Sequence, residues 1–129
     1  MSGRRRTLLA FALTAALSCG DDPTGPKPGT LEVRLSTPNA GLDGAILFTV
    51  SGPAAPTTVA PAAGLRVFYD SLAATTTFAV TGTLRTGALV RIEVEDVGRV
   101  GAYHATIQQV AASDYALRPL AGYSLTVAR

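Results

Sequence analysis

From Thr30 onward the apolar residues of this chain recur at every second position rather than at every third or fourth. Leu31, Val33 and Leu35 alternate with Glu32, Arg34 and Ser36, which predicts a strand with one buried and one solvated face. The nearly continuous apolar run Ala45 to Val50 follows the turn signal Asp43-Gly44 and predicts a central strand covered on both faces. Gly52-Pro53 stops that run, and prolines at 53 and 56 cannot donate to a ladder. A short strand at Thr57 to Ala60 is followed by two neighbours, Leu65 to Tyr69 and Thr75 to Thr81, joined through Asp70 to Ala74, with Thr76, Phe78 and Val80 on one side of the second. Val90, Ile92 and Val94 alternate with Arg91, Glu93 and Glu95 in the clearest amphipathic strand. After an irregular connection at 96–101, strands are predicted at Tyr103 to Val110, briefly at Tyr115 to Leu117, and at Tyr123 to Val127 with Tyr123, Leu125 and Val127 facing in.

Short, uneven strands with no sustained helical period predict an all-β fold: an antiparallel immunoglobulin-like β-sandwich of about 8–9 short strands over residues 30–129. The connections near 53–63 and 96–102 are long enough to pass from one sheet to the other, which favours a sandwich over a closed barrel. The segments Gly44 to Gly52 and Val80 to Val94 resemble those of cohesin and related carbohydrate-binding sandwiches of extracellular bacterial proteins. The resemblance rests on alternation and two glycines, and transfers no binding residue.

The polar spacing breaks down ahead of residue 30, and the N-terminal segment has a different logic. Arg4, Arg5 and Arg6 precede an uncharged run from Thr7 to Leu17, and the small residues Ala16 and Ser18 stand before Cys19. A positive cluster, a short apolar stretch and small residues at the cut are the marks of an export signal. A run of this length falls well short of the roughly 20 residues a membrane-spanning helix needs. Residues 1–18 are therefore expected to be a cleaved signal peptide. Ala16-Leu17-Ser18-Cys19 resembles the lipobox of bacterial lipoproteins, with the Leu two places rather than three before the cysteine. That resemblance implies a diacylglyceryl thioether on Cys19 and attachment to a membrane. Gly20, in place of the aspartate of inner-membrane retention signals, points by the same resemblance to the outer membrane. Residues 19–29 then form the lipidated cysteine and a flexible Pro- and Gly-rich linker. Cys19 is the only cysteine, so no intramolecular disulfide competes for it.

Composition narrows the chemistry. The formal charge is +2, but three of the basic residues belong to the leader, and the remainder is close to neutral, with no basic face for nucleic acid. Trp is absent and Tyr numbers four, Tyr69, Tyr103, Tyr115 and Tyr123, a thin supply of flat faces for stacking sugars. The single histidine, His104, falls on the wet face of its strand with Thr106 and Gln108 and has no Gly-x-Ser-x-Gly motif to serve. Asp43 and the pair Glu95-Asp96 lack the dense Asp/Asn pattern of a calcium loop, and Asp43 is expected to form the turn before Gly44. Glu93 and Glu95 are two apart on one strand face, roughly 6.5 to 7 Å, the wrong side of a solvated surface that also carries Arg91 for paired-carboxylate catalysis.

These features predict no enzyme, no metal and no cofactor. The expected protein is an exported, lipid-anchored binding or structural module of the cell envelope, on the periplasmic or surface face, with an unidentified protein or glycan partner. The alternative is a secreted carbohydrate-binding or adhesion module without lipid.

Overall fold

The alternation of the chain becomes eight strands, most of which turn an apolar side to a common interior. A computed structural model describes residues 25–129; Cys19 and the whole signal segment lie outside the described residues. In order these are β1 (Gly29–Ser36), β2 (Asp43–Ser51), β3 (Thr58–Pro61), β4 (Arg66–Leu72), β5 (Thr75–Leu84), β6 (Gly87–Val94), β7 (His104–Ala112) and β8 (Ser124–Ala128), with a 3-10 segment, Val97–Ala102, between β6 and β7. The strands make two four-stranded antiparallel sheets, ordered β3-β6-β1-β8 and β4-β5-β2-β7. The fold is an all-β sandwich, as the alternation predicts.

The pairing is nested. β4 pairs with β5, β3 with β6, β2 with β7 and β1 with β8, and the seams β6·β1 and β5·β2 join these pairs into the two sheets. Six of the seven connections therefore cross between sheets, including both that the sequence marks as long enough to do so. Only β4 and β5 form a hairpin, closed at Ala73 and Ala74. All crossings end at one of two poles. The first pole holds the start of β1 and the loops after β2 and β6; the second holds the loops after β1, β3, β5 and β7.

The core lies between the sheets. Leu31, Val33 and Leu35 of β1 and Val90, Ile92 and Val94 of β6 face Ile46, Phe48 and Val50 of β2 and Phe78 and Val80 of β5. Phe48 and Phe78 sit directly opposite each other across the β2·β5 ladder, with ring centroids 5.0 Å apart and planes tilted by 15°. Offset stacking of this kind adds to the burial of the two largest fully buried side chains. Leu89 is buried beside Val90, a departure from strict alternation: the β1·β6 register shifts between Val33 and Arg34, so Leu89 is an extra residue in a bulge that turns two successive side chains inward.

Two expectations need correction. β2 is central in its sheet, yet Ala45, Leu47 and Thr49 on its outer side are only half-buried, because among the described residues no third layer packs on that face. Tyr115 to Leu117 is no strand; it is the far side of a turn, touching β7 through a single bridge, Ala111 to Leu117. The end of the linker is exposed from Pro26 to Pro28 yet tied to the sandwich, since the Lys27 carbonyl accepts from the Val97 amide at 2.8 Å and its own amide donates to Asp96 Oδ1 at 3.2 Å.

Truncation of the stacked pair should be costly because the sheets cannot close over the gap. Phe78→Ala is expected to lower stability by about 3–5 kcal/mol in urea unfolding, against less than about 1.5 kcal/mol for the volume-preserving change Leu31→Met.

Candidate functional site

The second pole is organised by one buried carboxylate. Asp43 opens β2 with its side chain fully buried, where a bare charge would cost several kcal/mol without partners. It has three: Arg118 Nε donates at 2.7 Å and Tyr123 Oη at 2.9 Å to Oδ1, and Thr37 Oγ1 donates at 2.6 Å to Oδ2. Asn39 donates in turn to the Tyr123 hydroxyl oxygen at 2.8 Å. Asp43 is thus no turn former. It is the hub that fastens the loop after β1 to the loop after β7, through partners 75 and 80 residues away along the chain.

Backbone bonds complete the fastening. Ser113 N–H donates to the Leu42 carbonyl at 3.1 Å, and Gly41 N–H reaches the Leu84 carbonyl at 2.8 Å. A loop held by buried bonds opens less readily than one held by exposed ones, so the surface above this network is stiff.

On that stiff base stand four of the exposed large apolar side chains, Leu42, Tyr115, Leu117 and Leu120. Tyr115 is the extreme case: it is 82% exposed and has φ +70°. Ala112 and Ala116 close a three-residue hairpin loop, Ser113-Asp114-Tyr115, through the Ala112 N–H to the Ala116 carbonyl and the Tyr115 N–H to the Ala112 carbonyl, both 2.8 Å. The third residue of such a loop is left-handed and normally glycine. A bulky aromatic there is strained by about 1 kcal/mol. Strain of that size without a compensating buried contact marks a surface under some demand other than folding.

Beside Tyr115 runs a shallow groove of about 510 Å³, walled by Arg66, Thr81, Thr83 and the backbone of Gly64 and Gly82. Gly64 and Thr83 also border a second hollow of about 410 Å³ that reaches Arg85 and Thr86. Neither Arg66 nor Arg85 forms an ion pair among the described residues, unlike Arg34 and Arg91, which both hold Glu32. The groove therefore offers one unneutralised guanidinium group, threonine hydroxyls and one aromatic face, and the adjoining hollow a second guanidinium group. Such a surface suits an extended anionic ligand rather than a small apolar one.

The other candidate residues are scattered. His104 is exposed at the start of β7, at the first pole, in register with Ser51. Glu93 is exposed on β6, where its backbone carbonyl, not its carboxylate, accepts from Thr57. Asp96 caps the 3-10 segment by accepting from the Gly98 amide at 2.9 Å, and Glu95 is exposed beside it. Next to them the buried Tyr103 has its hydroxyl pKa raised, by burial first and by Glu95 next, with Arg99 opposing. Its ring leaves Gly52 no room for a Cβ, which would fall 2.3 Å from the ring edge. No three His, Cys, Asp or Glu side chains converge among the described residues. Sequence reasoning missed Arg66, Arg85, Tyr115 and Arg118 as a group because they come from three segments, the start of β4, the loop after β5 and the loop after β7, that only the crossings assemble.

Comparison with family models, curated proteins and solved structures finds no match.

Two outcomes test this site. Arg118→Met orphans the buried carboxylate and should cost about 3–5 kcal/mol, while adding Asp43→Asn should recover part of that loss in a double-mutant cycle followed by urea unfolding. Tyr115→Gly relieves the left-handed strain and should raise stability by about 1 kcal/mol, read as an upward shift of the thermal midpoint.

Proposed function

We propose that the chain is an exported, lipid-anchored β-sandwich of the cell envelope that acts by binding, not by catalysis. The observation that carries this reading is polarity. The linker reaches the sandwich at Gly29, on the first pole, while Tyr115, Arg66, Arg85 and the apolar side chains around them lie on the second. A tether at one end leaves the other end facing outward.

The dimensions agree with that role. Strands of eight or nine residues at roughly 3.3 Å each make the body about 30 Å tall. With the chain pinned at Lys27, the free spacer from Cys19 is about eight residues, on the order of 25 Å if extended. The binding pole would thus stand up to about 50 Å from the lipid surface. Two or more acyl chains on one residue hold a domain at a bilayer almost permanently, at roughly 0.8 kcal/mol per buried methylene.

A secreted carbohydrate-binding or adhesion module is the second reading, favoured by the hydroxyl-rich groove, and it requires Cys19 to remain a free thiol. The experiment is mass spectrometry of the mature amino terminus together with fractionation. A diacylglyceryl or triacyl adduct on Cys19, with the protein in the membrane fraction and Cys19→Ala released from it, is the expected outcome. An unmodified Cys19 selects the secreted module, and a full-length product in the cytosol removes both.

A further inference from the structure

Four strands lie at sheet edges, and three of them are protected. β3 has four residues and ends in Pro61, whose nitrogen cannot donate. β8 is only five residues long. β7 is bulged where its pairing with β2 shifts at Leu47/Phe48, and its end is met by Leu117. β4 differs in every respect. It runs seven residues without proline, its ladder to β5 has no register shift, and its other edge has no strand partner among the described residues.

The side chains of β4 are equally unprotected. Phe68 is 60%, Tyr69 53% and Leu72 82% exposed, so three of the large exposed apolar residues of the molecule sit on one open edge. Long apolar edge strands recruit another strand.

The order of the charges identifies which strand. In β4, Arg66-Val67-Phe68-Tyr69-Asp70, the two charged residues are equidistant from Phe68 and project to the same face as it does, opposite to Val67 and Tyr69. When a second β4 is laid antiparallel with Phe68 opposite Phe68, Arg66 of each copy falls opposite Asp70 of the other, and Val67 opposite Tyr69. A parallel in-register pairing would set Arg66 on Arg66 and Asp70 on Asp70. The charges on this edge therefore favour one arrangement and oppose another.

We propose that β4 is a self-association edge through which two copies of this chain pair antiparallel, centred on Phe68, to form one continuous eight-stranded sheet. The two-fold axis is normal to that sheet. With the axis normal to a membrane as well, the strands lie along the surface, both Gly29 ends sit at the same height and both tethers can enter one bilayer, so the pair holds its poles beside the membrane where a single copy projects its second pole away from it. Arg66 also walls the groove at the second pole, so pairing through β4 would draw that guanidinium toward Asp70 of the second copy.

Complementary charge variants test it in the full-length, processed protein by sedimentation velocity in mild detergent. Arg66→Asp gives two Asp–Asp contacts across the pair and Asp70→Arg gives two Arg–Arg contacts, so each variant alone should self-associate about tenfold or more weakly than wild type. Mixed in equal amounts, the two variants pair Asp with Arg at both positions, and association should return. Unchanged melting of each variant separates loss of pairing from loss of fold; Phe68→Lys, which should also abolish pairing, serves where either charge variant fails to fold. Wild type that stays monomeric, variants that associate as well as wild type, or a mixture that shows no recovery each overturn the proposal, as does a monomer whose β4 captures an extended peptide instead.

Discussion

The carboxylate of Asp43 is the point on which the second pole depends. It lies at the mouth of a sandwich whose strands bring together four loops that each cross from one sheet to the other, and loops of that kind have few apolar contacts to order them. Three charge-assisted or hydroxyl hydrogen bonds converging on one buried anion supply that order. A buried ion pair contributes little to net stability compared with an apolar replacement of the same shape, because desolvation offsets the attraction. What it does contribute is uniqueness: only one placement of Thr37, Arg118 and Tyr123 satisfies both oxygens. Specifying a loop arrangement in this way is worthwhile where the loops carry a surface that has to keep its shape.

The surface itself shows the other side of the same constraint. Tyr115 sits in a left-handed position that glycine would fill at no cost, and it does so with its ring in water. Folding alone gives no reason for this choice. Among the described residues Arg66 and Arg85 are likewise left without acidic partners, although Arg34 and Arg91 on the neighbouring sheet share Glu32. Local departures from what stability favours, grouped around one groove, are how sites are usually built.

The sheets were legible in the sequence because a period of two is a local signal. Leu31, Val33 and Leu35, or Val90, Ile92 and Val94, can be assigned to a buried face with no knowledge of what they pack against. The same is true of the crossings at 52–57 and 95–103, announced by Gly52-Pro53 and by the glycines of the 3-10 segment. The failures all involve partners distant in sequence. Asp43 before Gly44 has the local look of a turn, and only Arg118 and Tyr123 reveal it as a buried anion. Leu89 is buried by a bulge that its own neighbours do not signal. Leu47, apolar within a continuous run, reads as covered, and only the absence of a third layer shows its outer face to be open.

The edges of the sandwich were illegible for the same reason, since nothing in a strand's own sequence says whether both of its sides are paired. Once the order is known, the residues take on meaning. Pro61 is at an edge where proline is harmless to the fold and useful against recruitment, and the bulge in β7 disrupts the ladder a newcomer would need. β4, with the most apolar exposed surface of the four, carries only Arg66 and Asp70 as charges. Charges on an edge ordinarily repel copies of themselves, but two opposite charges equidistant from a central phenylalanine do so only in the parallel register. A tether that confines the chain to a surface raises its local concentration, so that even a modest antiparallel contact becomes populated there. Attachment and self-pairing are in this sense linked: the open edge is a liability in dilute solution and a means of assembly on a membrane.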